Sequence, residues 1–327
     1  MEGLHANGLT SRYTHLLTGY IGAPSFLAQV VQLASQLHAD HDPNRGPFTY
    51  LCDPVLGDHG RMYVAPEMVD LYRTQALPLA TIVTPNQFEA ELLTQRPIKT
   101  LQDALAACDT LHDLGPHAVI ITSAELEERG ERASATATST STSGQDLGID
   151  MPRLPTTSNT MTTTGDLQKP KQQYTLIASI RGADGHPSQR VKATFPCIEA
   201  YFTGPGDLLA ALLLAWLSRC PGDLAGAVRK ALSTMQRVLR ATARASGQLL
   251  GKVREGTGRG EGEKEEVLSP ASLTGSRSPS AALVADAQSR SATSCRLREL
   301  RLVQNIEAVR NPPVVELAGM ISVEPIT

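Results

Sequence analysis

Short apolar runs bounded by Gly, Pro and Asn alternate with longer stretches in which apolar residues return every three or four positions, the pattern of strands exchanging with amphipathic helices. Residues 14–18 read as a strand closed by Gly19 and Tyr20, and Ser25 as the cap of a helix with Phe26, Leu27, Val30, Leu33 and Leu37 on one face. That helix ends in the polar run 38–44. Residues 48–52 form a second strand, so strand, crossover helix and strand make one parallel unit. Residues 67–75, opened by Pro66, predict another helix, residues 80–84 a buried strand, and residues 88–93 the start of a short helix. From Thr100 to Leu114 a helical period runs until Gly115 and Pro116 stop it, and residues 117–122 are the next strand.

Beyond Glu125 the pattern disappears. Residues 126–172 are rich in Ser, Thr and Gly and keep no period, which marks a disordered insertion. Residues 174–180 and 189–195 then predict a hairpin that leads into Phe202-Thr203-Gly204-Pro205-Gly206-Asp207. The apolar run 208–217 predicts a helix beginning at Asp207, and residues 224–250 one long helix or two after a break at Pro221-Gly222-Asp223. Residues 251–295 form a second polar tract of mixed charge, read as disordered, and residues 297–303 a last strand. Together these elements predict one α/β domain over residues 1–327, with a mostly parallel central sheet flanked by helices and interrupted by the two tracts.

Composition narrows the function classes. The 327 residues carry a net charge of -3, so no strong positive field recruits nucleic acid or an anionic membrane. The longest apolar run is about half the length of a membrane span, and the first 20 residues lack a basic region followed by an apolar core. Cys52, Cys108, Cys197, Cys220 and Cys295 show neither paired-ligand spacing nor a disulfide framework, which suits a reducing cytoplasm. The histidines show no ligand spacing, and Trp216 within its apolar helix reads as core.

The polar residues carry the chemistry. Asp53 and Asp58, Asn86 and Glu89, Thr122 and Ser123 all follow predicted strands, at the edge where open parallel sheets bind ligands. Two glycines one residue apart, Gly204 and Gly206, let backbone approach a ligand, and the following helix aims its N-terminus at an anion such as a phosphate. Asp207 at that point could accept a proton from an attacking hydroxyl; on its own the motif is more often a tight turn with Asp207 as helix cap than a catalytic one.

The order Thr18-Gly19-Tyr20, Cys52-Asp53-Pro54-Val55-Leu56-Gly57-Asp58, Thr84-Pro85-Asn86-Gln87-Phe88-Glu89, Ile121-Thr122-Ser123 and Gly204-Pro205-Gly206-Asp207 resembles the pyridoxal kinase family, within the wider ribokinase-like fold. The resemblance covers residues 12–125, 174–250 and 296–318. It implies ATP-dependent phosphorylation of the 5′-hydroxymethyl group of pyridoxal, pyridoxine or pyridoxamine, with Asp207 as base and the turn at Gly204 and Gly206 receiving the phosphoryl group. It further implies that Asp53 and Asp58 serve a cation and phosphate, that Asn86 and Glu89 belong to the nucleotide-phosphate and Mg2+ network, and that Thr84 and Thr122 hold a monovalent cation (K+ or Na+). Ser123 and Ile198 would border ATP, and Tyr20 would lie beside the pyridine ring. A cytoplasmic homodimer is the form the family implies.

Two departures stand out. The family usually has threonine between the two glycines, where this chain has Pro205; loss of one positioned donor at such a site typically costs about 10² to 10³ in rate. Met1 also lies only a dozen residues before the first matched strand, so the sequence reads as short of an ordinary domain of this kind by about 60 to 80 residues at its N-terminus. The alternatives at this stage are a catalytically impaired nucleotide-binding or dimer-forming homologue, and a related hydroxymethylpyrimidine or sugar kinase.

Overall fold

The computed structural model describes residues 2–127, 173–198, 200, 202–256, 299–315 and 317–326. A short helix α1 (Glu2–Ala6) precedes strand β1 (His15–Thr18), helix α2 (Pro24–Asp40) and strand β2 (Thr49–Cys52). A small hairpin, β3 (Gly57–Asp58) and β4 (Arg61–Met62), leads to helix α3 (Glu67–Leu71), and then follow β5 (Ile82–Val83), α4 (Gln87–Thr94), α5 (Leu101–Asp113) and β6 (Ala118–Ala124). The second half supplies β7 (Gln173–Arg181), β8 (Pro187–Pro196), α6 (Pro205–Arg219), α7 (Leu224–Gly256), a short helix at Ile306–Arg310 and β9 (Ser322–Pro325).

Seven strands form one sheet in the order β1-β2-β5-β6-β7-β8-β9. β1, β2, β5 and β6 run parallel, and β7, β8 and β9 add to them antiparallel. The two-residue period of the strands sends alternate side chains to opposite faces. Tyr50, Cys52, Val83, Val119 and Ile121 enter one apolar cluster with α2, α3, α4 and α5, while Leu51, Ile82, Ala118 and Ile120 enter a second with α6 and α7. The result is a sheet between two helical layers. Strands buried on both faces need continuous rather than alternating apolar character, which is how β6 reads from Ala118 to Ile121.

Several expectations need correction. Ser25 does not cap α2, which begins at Pro24 after Ala23; a proline at the first helical position costs nothing because its missing N–H would be unpaired there. The segment 67–75 is not one α-helix. It passes from α3 into a π-helical turn, Tyr72–Ala76, and a 3-10 turn, Leu77–Leu79, which bring it to β5. Residues 224–250 are one helix that runs on to Gly256, so 251–256 belong to it and not to a polar tract; the rest of the tracts at 128–172 and 257–295 lies outside the described residues. The last strand is β9, not 297–303: of the described residues there, only Glu299 pairs, in an isolated bridge with Thr203, and Val303–Asn305 is a helical turn. Residues 297 and 298 lie outside the described residues.

Trp216 is half-buried against the second cluster, with the Lys230 ammonium 4.9 Å and the Arg219 guanidinium 5.7 Å from its ring centre. Among the described residues, no helix is long and apolar enough to cross a membrane.

Candidate active site

The carboxyl ends of the parallel strands open onto a cavity of about 950 Å³. Each of its walls is set by a local sequence feature. Asp53 follows β2 directly, and its N–H donates to the Thr18 carbonyl of β1 at 2.9 Å, which extends the ladder by one residue and fixes where the carboxylate leaves the sheet. The Thr84 hydroxyl, at the end of β5, donates to Asp53 Oδ1 at 3.2 Å.

Asn86 and Glu89 begin α4 as a capping box. The Asn86 side chain accepts from the Glu89 N–H at 2.9 Å, and Glu89 Oε2 accepts from the Asn86 N–H at 2.8 Å. Glu89 does more than cap: its Oε1 accepts from the N–H groups of Leu56 at 3.0 Å and Gly57 at 3.4 Å, and Asn86 Nδ2 donates to the Gly57 carbonyl at 2.8 Å. The two motifs that lie far apart in sequence are thereby tied together. Gly57 is required at this junction, since a Cβ there would collide with the Arg61 carbonyl and sit 2.7 Å from the Phe88 ring.

On the far wall Gly204 caps α6 with φ 81°, a left-handed conformation that glycine adopts without strain. Pro205, Gly206 and Asp207 are the first three helical residues, so the helix begins two residues earlier than Asp207. The Leu208 N–H is the first to bond within the helix, to the Gly204 carbonyl at 3.0 Å. Pro205 has no N–H, which leaves the amides of Gly206 and Asp207 to face the cavity end of the helix dipole. The Asp207 carboxylate lies against the end of β1: a Cβ built on Gly19 would be 3.3 Å from its Oδ1.

The electrostatics follow from burial. Asp53 is 7% and Glu89 3% exposed. Burial pushes the Asp53 carboxyl up to about 7 against the pull of the Thr84 hydrogen bond, with the Asp207 charge adding to the rise. Burial likewise raises Glu89 to about 8, opposed by its backbone donors and reinforced by Asp53. Among the described residues, the cavity lining holds the carboxylates of Asp53, Asp58, Glu89, Glu91, Glu125 and Asp207 and no lysine or arginine. Such a site repels a bare polyphosphate and admits one that brings cations with it. Among the described residues no three His, Cys, Asp or Glu side chains gather closely enough to form a metal site by themselves. The donor set fits a hard cation held by one or two carboxylates together with phosphate oxygens and water, the usual mode for Mg2+.

Asp53, Asp58, Thr84, Asn86, Glu89, Thr122, Ser123, Gly204, Gly206 and Asp207 all line this one cavity. Tyr20 and Ile198 do not. Tyr20 is 59% exposed, with its hydroxyl over Gly22, and Ile198 packs at the margin of the second apolar cluster. The sequence reading missed the hairpin of β3 and β4, which brings His59, Gly60 and Tyr63 to the rim. Its signal was the pair His59-Gly60, where both residues take positive φ, at 46° and 76°, as a tight two-residue hairpin turn demands.

Residues 26–166 match the family model described as phosphomethylpyrimidine kinase. The pyridoxal kinase of Arabidopsis thaliana is 38% identical over 242 residues, 74% of this chain and 62% of that protein. The pyridoxal kinase of Homo sapiens is 34% identical over 245 residues, 74% of this chain and 65% of that one. The chain therefore spans less than two thirds of the length of these curated relatives. Among solved structures, the Leishmania donovani pyridoxal kinase in complex with ADP and pyridoxamine superposes with a TM-score of 0.63 at 25% identity, covering 100% of this chain and 79% of that one. By sequence and by fold, the chain is a relative of the pyridoxal kinases, built on the ribokinase-like α/β fold.

Proposed function

We propose that this chain binds ATP in the cavity and transfers its terminal phosphoryl group to the 5′-hydroxymethyl group of pyridoxal, pyridoxine or pyridoxamine. The observation that carries the reading is the convergence of Asp207, at the start of α6, with Asp53 and Glu89 on one cavity. Relatives that carry the name pyridoxal kinase, and a fold neighbour with ADP and pyridoxamine bound, support the choice of nucleotide and acceptor.

Asp207 is the group to take the proton of the acceptor hydroxyl, because it stands where the helix N-terminus can meet the charge that develops on the transferred phosphoryl group. The amides of Gly206 and Asp207 orient that group in line with the hydroxyl. One or two of Asp53, Asp58 and Glu89, together with phosphate oxygens and water, would hold a divalent cation, Mg2+ or another, whose charge screens the phosphates; Thr84 and Thr122 would hold a monovalent K+ or Na+. Asn86 and Ser123 border the nucleotide, with Ile198 beyond the cavity margin, and Tyr20 is the aromatic available to the pyridine ring. A homodimer in the cytoplasm, acting on a small molecule and not on nucleic acid, is the setting in which this reading places the protein.

The test is turnover of pyridoxal with MgATP by the wild type and by Asp207→Ala. The variant should lose a factor of about 10² to 10⁴ in rate while nucleotide affinity changes little. Undiminished turnover removes Asp207 as the base.

A further inference from the structure

Within the run 84–89, Gln87 lines the cavity beside Thr84, Asn86 and Glu89, but its side chain bonds elsewhere. Gln87 Oε1 accepts from the Glu125 N–H at 2.8 Å, and Nε2 donates to the Ile98 carbonyl at 2.6 Å. Both partners are backbone groups, one able only to donate and the other only to accept, so a single orientation of the amide satisfies both. Ile98 is fixed in turn: it is 1% exposed, and its N–H donates to Glu91 Oε1 at 2.7 Å. Gln87 thus ties Glu125 to a buried anchor.

Glu125 directly follows β6, whose end forms the cavity wall with Thr122 and Ser123. Pairing there is irregular. Ile121 pairs with Ile177 and Ala124 with Thr175, so β6 advances three residues while β7 advances two. The residue left over makes a bulge, and bulges beside ligand sites re-aim side chains where the ladder is interrupted. The bulge also changes which N–H groups turn toward β5. Those of Ala118 and Thr122 do so, donating to the carbonyls of Thr81 and Pro85 at 2.9 Å each. A regular strand would send residue 124 next, but after the bulge it is Glu125, and the Gln87 side chain accepts in place of a strand carbonyl. Ser123 stands between the tie at Pro85 and the tie at Gln87.

We propose that Gln87 is a positioning residue for the nucleotide side of the cavity: its side chain holds the β6 bulge, and the bulge sets Ser123 where the nucleotide lies. Binding groups held in place before the ligand arrives need no ordering when it does. The part of this inference that concerns nucleotide rests on the kinase reading; the bonding of Gln87 to the wall does not.

Gln87→Met keeps a good helix former of similar length and removes both bonds, whereas Gln87→Glu keeps an acceptor for the Glu125 N–H and sets an oxygen against the Ile98 carbonyl. In the ligand-free protein, amide exchange at Glu125, measured against Ile120 in the same strand, should quicken by about three- to tenfold in Gln87→Met and by less in Gln87→Glu. In Gln87→Met the KM for ATP should rise about tenfold while that for pyridoxal stays within about twofold, a split that a general loss of stability does not produce. Equal exchange at Glu125 in wild type and Gln87→Met means that the bond does not hold the wall, and the proposal falls. Faster exchange with an unchanged KM for ATP, or with equal rises in both KM values, overturns the positioning role. If the wild type turns over no pyridoxal, the kinase reading fails, and exchange at Glu125 in the two variants alone decides whether Gln87 holds the bulge.

Discussion

Two buried carboxylates, with no lysine or arginine among the described residues that line their cavity, set the behaviour of this site. Asp53 rises from 3.8 to about 7 and Glu89 from 4.5 to about 8, in both cases because burial disfavours the charged form. The folded protein therefore holds protons that the unfolded chain releases, and stability falls as pH rises. The contribution is fully present below about pH 4 and is lost as pH passes through about 7 and then 8. Thermal melts of the ligand-free protein from pH 5 to 9 should show this decline, and Asp53→Asn should flatten its lower part. A melting temperature that rises across the same range contradicts the assignment. Saturating MgATP should reverse the slope, since a cation favours the ionised pair. At this scale the sequence was informative: Asp53, Asn86, Glu89 and Asp207 stood out by residue type and position.

Helix α6 joins structure to chemistry. Its buried face, with Leu208, Leu209, Leu212 and Leu213, anchors it to the sheet, and its first turn closes the cavity. Pro205 is well suited to start the helix and poorly suited to bind a phosphate, because the same missing N–H that is harmless to the helix is a donor lost to the ligand. Pro205→Thr restores both an amide and a hydroxyl and should raise turnover by at least about tenfold with little change in melting temperature. No gain would show that this turn does not limit the rate. Element boundaries were legible where capping chemistry is explicit, as at Asn86 and Thr100, each of which opens its helix with a capping box. They were not legible where tertiary contacts decide. The π-helical turn at Tyr72 bends chain that reads locally as plain helix.

For the whole molecule, the sheet holds two apolar clusters apart, and the site lies at the strand ends between them. Leu213 is wholly buried in the cluster on the α6 side, and Leu213→Ala should cost about 2 to 5 kcal/mol by chemical denaturation. A loss of less than about 0.5 kcal/mol would place α6 off the core. The fold class was readable from the alternation of strands and helices, because a parallel sheet can be joined only through crossovers. The strand order was not, and neither was β9, whose four residues, Ser322–Pro325, pair along β8 with no periodic signal of their own. The most direct test of the central claim is to follow the terminal phosphate: incubate the chain with pyridoxal and ATP labelled in its γ-phosphate, and separate the products. Label in pyridoxal 5′-phosphate, absent with Asp207→Ala, is the result expected; label that stays in ATP, or reaches only inorganic phosphate, contradicts the account.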